Sequence, residues 1–285
     1  MRLFISSDIE GTAGIAHWDE TDDAKGGTRY QYFREQMSRE VAAACRGAQA
    51  AGAVEILVKD AHDTGRNIIP TELPRGVRIH RDWSGELGSM ADALAGGFWD
   101  FGANDLVSIA NPFDAFSCTG YHSPAYTNGN PLAHTMNGSI YEIFVNGNRA
   151  SEFMIHSLYA GRLGIPVIFL SGDRALCATS KEWIPGLTVL PVSDGRGNAS
   201  ISLHPQDALE RIEAGMREAV TRFTSGGSNC QVPMPDSFSI IIRFTTHGKA
   251  LKNSQYPGAH LIDEKTIGFE ADDWLDVMRA FRFIL

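Results

Sequence analysis

Asp8 and Glu10 stand two residues apart where an apolar run, Arg2-Leu-Phe-Ile-Ser-Ser-Asp8-Ile-Glu10, comes to its end. Side chains alternate along an extended chain, so both carboxylates point the same way. No basic residue lies between Phe4 and His17 to neutralise them. Two like charges on one face repel unless a cation joins them. Two readings are open for this pair alone: solvated acids on a surface turn opened by Gly11, or one side of a metal or phosphate site, which strand-end acids recurrently build. Other residues of metal-ligand type follow apolar runs further on: His62, His122, His134 and Glu152.

Mixed imidazole and carboxylate donors suit zinc, and also manganese, iron or cobalt. Asp8, Glu10, His62, His122 and Glu152 are too many for one tetrahedral catalytic zinc that keeps a water. They suit two ions sharing one carboxylate, with Asp8 as the bridge. Two ions about 3.5–4 Å apart activate a water and polarise a carbonyl or phosphoryl oxygen, so the implied reaction is hydrolysis. Each residue also has a plainer reading. A lone strand-end histidine is more often a hydrogen-bonded structural residue, and Glu152 could simply cap a helix. His156, one turn after Glu152, is a further candidate ligand. His17, His80, His204, His247 and His260 read as structural. Ser6 and Ser7 have no base at nucleophile spacing, and Gly11-Thr-Ala-Gly14 lacks the glycine spacing and lysine of a phosphate-binding loop.

The elements that must position these groups alternate between strand and helix. Apolar steps of three and four predict a helix over 30–51, ended by Gly52, and an apolar run predicts a strand over 54–60. Strand, helix and strand in about sixty residues make a right-handed, parallel βαβ unit. That unit brings His62 to the sheet edge of Asp8 and Glu10, where ligands of open α/β sheets collect. Strands are expected near 77–80, over 114–122, 139–145 and 165–173, and near 187–192. Helices are expected near 88–94 and over 152–163 and 205–223. The helix over 152–163 is apolar almost all round, which implies burial. Asn146-Gly147 is a hairpin turn signal. The stretch 96–116 yields no clear element. After a linker over 226–236, strands at 238–244 and 266–269 and a helix at 272–281 lack regular crossovers.

The expected fold class is α/β, a three-layer α/β/α arrangement with a mostly parallel sheet, plus a smaller α+β portion. Residues 1–225 form the metal-binding catalytic part, whose middle segment contributes to the smaller unit, and 237–285 form the remainder of that unit. The 285 residues carry 43% hydrophobic composition and a net charge of -9. That charge argues against nucleic acid, whose binding is dominated by basic contacts. No apolar run reaches the roughly 18 residues of a membrane span. The N-terminus turns acidic too soon for a signal peptide, so the expected location is the cytoplasm. Cys45, Cys118, Cys177 and Cys230 show no C-x-x-C spacing and read as buried, reduced thiols.

Ser7-Asp8-Ile-Glu10-Gly11, Asp60-Ala-His62, Gly120-Tyr-His122, Ala133-His134-Thr-Met136 and Ser151-Glu152 together resemble the DppA-type D-aminopeptidases, a family of binuclear zinc peptidases. The likeness spans most of the chain and is looser after the linker. It implies that Asp8, Glu10, His62, His122 and Glu152 hold two zinc ions, with Asp8 bridging. It further implies that His134 is catalytic, acting at the substrate carbonyl or carrying a proton. It also implies ring-like homo-oligomers and a small peptide substrate with a free amino terminus, including peptides that begin with a D-residue. One departure is a segment over 98–113 that looks longer than the family pattern. Two rival readings of the same ligands stand beside this one: a metal-dependent hydrolase of a non-peptide amide or phosphoester, and a non-catalytic, metal-dependent ligand-binding protein.

Overall fold

The structure is a computed structural model that describes residues 1–96, 98–100, 105–107 and 113–285. Leu3, Phe4 and Ile5 are fully buried, which makes β1 (Arg2–Ser7) a central strand rather than an edge. The chain leaves β1 through the loop that carries Asp8 and Glu10 and passes a short helix, α1 (Asp23–Gly26). It then crosses one face as α2 (Thr28–Ala50) and returns as β2 (Glu55–Asp60), parallel to β1. The expected βαβ unit is therefore present, and the helix starts two residues earlier than the apolar pattern suggests.

Next come β3 (Val77–His80), a short antiparallel pair of β4 (Phe98–Asp100) and β5 (Asp105–Val107), and β6 (Ala115–Tyr121), which pairs with the other side of β1. A hairpin follows, β7 (Ile140–Val145) and β8 (Asn148–Arg149), and then α3 (Glu152–Arg162). Asn146 and Gly147 both take positive φ, 49° and 77°, as the two-residue turn signal requires. The alternation continues with β9 (Val167–Asp173), α4 (Arg174–Trp183), β10 (Thr188–Arg196), β11 (Ala199–Ser202) and α5 (Pro205–Thr224). The chain ends with β12 (Phe238–Phe244), α6 (His247–Asn253), β13 (His260–Asp263), β14 (Thr266–Ala271) and α7 (Trp274–Ile284).

Seven strands form the main sheet in the order β11-β10-β9-β6-β1-β2-β3, parallel except for the β10–β11 hairpin. Helices α2 and α5 cover one face, with Leu3, Ile5, Ile56, Val58 and Ile168 packed beneath them. On the other face, Phe4, Phe116, Val167 and Leu170 share a core with α3, α4 and a second, antiparallel sheet of order β13-β14-β12-β7-β8. That sheet takes β7 and β8 from the middle of the chain, and α7 packs into the same core through Trp274, Val277 and Phe281. The three-layer α/β/α reading and its smaller α+β companion are thus both found.

Two local expectations need correction. The helix near 88–94 is only a 3-10 turn at Ser89–Ala91. Ser89 and Ala93 sit at φ 51° and 73°, and left-handed residues at both ends stop the i to i+4 ladder from propagating. The strand near 187–192 runs on to Arg196 and turns back as β11, and α6 and β13 had no expected counterpart. Residues 226–236 carry no helix or strand, yet Cys230 and Val232 are buried, and the Val167 N–H donates to the Cys230 carbonyl. The expectation of a longer loop over 98–113 falls mostly on residues outside those described.

Candidate metal centre

Asp8 and Glu10 follow the last residue of β1, and the backbone there is fastened to β6. The Asp8 N–H donates to Thr119 at 2.9 Å and the Gly11 N–H to Gly120 at 2.8 Å. The approach is so close that a Cβ on Gly11 would lie 1.9 Å from the Tyr121 carbonyl oxygen, and one on Gly120 would lie 2.2 Å from that of Asp8. Gly11 is therefore needed for lack of bulk, rather than for the sharp turn the sequence suggested. Only Gly120 of the two takes positive φ, 69°.

His62 leaves β2, whose final residue, Asp60, accepts the Asn67 and Ile68 N–H groups; the Asn67 side-chain amide then holds the His62 carbonyl at 2.6 Å. His122 leaves β6, and the next residue, Ser123, is held through its N–H and hydroxyl by the Asp173 carboxylate at the end of β9. Glu152 opens α3, but it is Ser151 that caps the helix, accepting the Met154 N–H. Glu152 Oε1 instead accepts the N–H of Met136 at 2.6 Å, an N–H presented by a left-handed backbone at φ 68°.

All five predicted ligands and His134 come together. His62 Nδ1 lies 3.1 Å from Glu10 Oε2 and 3.4 Å from Asp8 Oδ1. His122 Nε2 lies 3.2 Å from Glu152 Oε2 and 3.5 Å from Asp8 Oδ2. The two oxygens of Asp8 therefore face different imidazoles. Asp8, Glu10, His122 and Glu152 are almost wholly buried. His134 stacks on His122 with ring centres 4.4 Å apart and planes within 9°, and its Nε2 lies 3.7 Å from Glu152 Oε1.

Each imidazole has its other nitrogen tied to a backbone carbonyl: His62 Nε2 to Thr21, His122 Nδ1 to Ser123 and His134 Nδ1 to Leu132, at 2.8–3.0 Å. A carbonyl only accepts, so those nitrogens carry the hydrogen, and the opposite nitrogens face the carboxylates. Metal-binding histidines are held in this way. Glu10 Oε2 and His122 Nε2 are buried with no hydrogen-bond partner. Among the described residues, two donor sets lie close enough to hold an ion, Asp8 with Glu10 and His122, and His122 with His134 and Glu152. Donor chemistry and unpartnered atoms alike fit divalent cations.

The electrostatics agree. Burial, then the neighbouring Glu10 charge, pushes the Asp8 carboxyl well above its usual range. Burial would also raise Glu10, but His62 outweighs it and holds that carboxyl well below its ordinary value. Glu152, against the same burial, is brought down to about 2 chiefly by His122 and His134. Burial opposes charge on His62 and His122, yet the carboxylates raise both rings well above the ordinary histidine range. The acids thus favour positive charge where these rings meet them. Burial and the His122 charge lower His134 instead.

A cavity of about 480 Å³ opens onto this cluster, lined also by Trp18, Asp63, Trp83, Met136 and Arg282. His156 is absent from the cluster. Its Nδ1 donates to the Glu152 carbonyl at 2.7 Å, which turns the ring away along its own helix, and burial lowers its pKa to about 4. His17, His80, His204, His247 and His260 belong to neither donor set. The sequence reading missed the supports, Asn67, Asp173 with Ser123, and the Met136 N–H. Only Asp60 and Asp173 gave a signal, as acids at strand exits.

A family model for D-aminopeptidases matches residues 1–283. No curated protein matches the chain. Among solved structures, the Zn-dependent D-aminopeptidase DppA from Bacillus subtilis, described as a self-compartmentalizing protease, superposes with a TM-score of 0.86 at 23% identity, covering 100% of this chain and 96% of that one. That likeness gives the fold; the family model, matching nearly the full length, gives the lineage, and the chain belongs to the D-aminopeptidase family.

Proposed function

We propose that the chain is a zinc aminopeptidase that removes the first residue, of D configuration, from short peptides, using two ions per chain. Asp8, Glu10 and His62, joined by the 3.1 and 3.4 Å approaches of His62 Nδ1, would hold one, and Asp8, His122 and Glu152, joined by the 3.2 and 3.5 Å approaches of His122 Nε2, would hold the other. The observation that carries this reading is Asp8, whose two oxygens face His62 and His122 separately. Zinc is chosen because the similar Bacillus subtilis protein is Zn-dependent; the donors also suit manganese, iron or cobalt.

Ions held there would lower the pKa of a water and polarise the scissile carbonyl. The chain's own groups supply the rest. His134 is pushed toward its neutral form, so its Nε2 lone pair, beside the cavity, takes up a proton and returns it to the leaving amine. Glu152 Oε1, 3.7 Å away, steadies the imidazolium formed in between. Trp18 packs edge-on against His134 at 5.1 Å and so helps fix the ring's place beside the cavity.

We place the enzyme in the cytoplasm as a ring-like homo-oligomer. Its four cysteines are free and buried, no described helix is long and apolar enough to cross a membrane, and the similar protein is self-compartmentalizing. The decisive assay compares zinc-loaded protein on D-alanyl-glycine, L-alanyl-glycine and N-acetyl-D-alanyl-glycine. Only the first is expected to be cleaved rapidly; equal cleavage of the acetylated peptide would rule out aminopeptidase action.

A further inference from the structure

Arg282 stands in the last turn of α7 and is, among the described residues, the one lysine or arginine that lines the cavity of about 480 Å³ at the metal cluster. Its neighbours fix where it stands. Phe281 and Ile284 are buried, the Ile284 carbonyl accepts from the Asn253 side-chain amide at 2.8 Å, and the Leu285 carbonyl accepts from that of Asn137 at 3.1 Å. Asn137 lines the same cavity and follows Met136, whose N–H donates to Glu152 Oε1. The end of α7 is thus tied to the loop that carries His134, and Arg282 is left exposed at the cavity wall.

An arginine in a last helical turn suits the negative end of the helix, but that leaves the donors of its guanidinium open. Arg279, one turn earlier, is paired with Asp276. Among the described residues, no hydrogen bond or ion pair engages the Arg282 guanidinium. The other ionisable residues lining the cavity are acids and histidines. An anion entering it therefore meets one side chain of permanent opposite charge, and the planar fork of a guanidinium matches a carboxylate. A peptide carries such a group at its carboxyl terminus. The cavity's volume lies in the range of pockets that enclose a small ligand, so one short peptide spans cluster and arginine within it.

We propose that Arg282 is a specificity-determining residue that binds the carboxyl terminus of the substrate, so that the preferred substrates are short peptides whose last carboxyl group is free. The scissile carbonyl lies at the cluster and the terminal carboxylate at the end of α7. The inference rests on the aminopeptidase reading of the cluster.

The test measures KM of zinc-loaded enzyme on D-alanyl-glycine and on D-alanyl-glycinamide, whose carboxyl end is uncharged. A contact kept from bound substrate to transition state shows in KM. In the wild type KM should lie about tenfold lower for the free acid, the lower end of what a hydrogen bond to a charged group is worth. Added salt should narrow that gap, because an exposed ion pair is screened. Arg282→Gln should bring the two KM values together with zinc content unchanged, and Arg282→Lys, which keeps the charge without the fork, should retain part of the gap. Equal KM values in the wild type, or a gap that survives Arg282→Gln in zinc-replete enzyme, overturn the assignment of Arg282 alone. Zinc loss in Arg282→Gln overturns it as well, since the residue would then support the cluster. Failure of zinc-loaded wild type to cleave either peptide overturns the aminopeptidase reading and this inference with it.

Discussion

Two regions of this molecule bury carboxyl groups to the same depth, and the charge states differ. Glu40, on α2, is 1% exposed, and Glu10, past the end of β1, is 2% exposed. Among the described residues, Glu40 is met only by neutral donors, the Ala13 N–H at 3.0 Å and the Gln36 amide at 3.1 Å, and burial pushes it up to about 7. Glu10 meets His62 at 3.1 Å and is held well below its ordinary range. Burial alone therefore makes a neutral, structural acid. What marks the other region is the convergence of several acids and imidazoles on one buried place, an arrangement that favours a cation.

The comparison can be broken most forcibly at Asp8. Asp8→Ala should abolish peptide cleavage, because both halves of the cluster lose a shared oxygen donor, while circular dichroism stays native. Next in size is His134→Ala, expected to lower kcat by 10²–10⁴ with zinc content near normal, the usual worth of a positioned acid or base. Zinc loss in that variant would make His134 a ligand and would move the proton carrier elsewhere. Asn67→Ala removes the amide that fixes the His62 carbonyl and should weaken zinc binding by about 10–100-fold in a chelator competition. Unchanged affinity would show that Asp60 suffices to hold the turn.

The effect in the other region falls on stability rather than on activity. Folded Glu40 keeps its proton up to about pH 7, whereas the unfolded chain releases it near 4.5. The folded state binds more protons in that window, so this group's stabilisation is full below about pH 4.5 and lost as pH rises to about 7. The loss is at most about 3 kcal/mol. Glu40→Gln should flatten that slope in urea denaturation at pH 5 and pH 7.5. A slope as steep as that of the wild type would show that Glu40 is not the group responsible.

The cluster was legible in the sequence because its members sit at strand exits. Periodicity locates strands, and the parallel topology then sends Asp8, His62 and His122 to one edge. Glu152 was legible only as an acid opening an apolar helix. The supports were not legible, since Asn67 and Ser123 act through contacts set by tertiary approach, with no periodic signature. His156 illustrates the converse: its i+4 spacing from Glu152 suggested a ligand, but on a helix that spacing also lets a side chain bond the carbonyl one turn back. The short elements α6, β11 and β13 escaped because four to seven residues give too little repeat to read.

The central claim is that Asp8 joins two metal ions. It is tested most directly by counting zinc per chain, by native mass spectrometry, in wild type and Asp8→Ala loaded in parallel. Two ions in the wild type and almost none in the variant are predicted. A single ion in the wild type, or two ions still bound without Asp8, would contradict the shared-carboxylate arrangement.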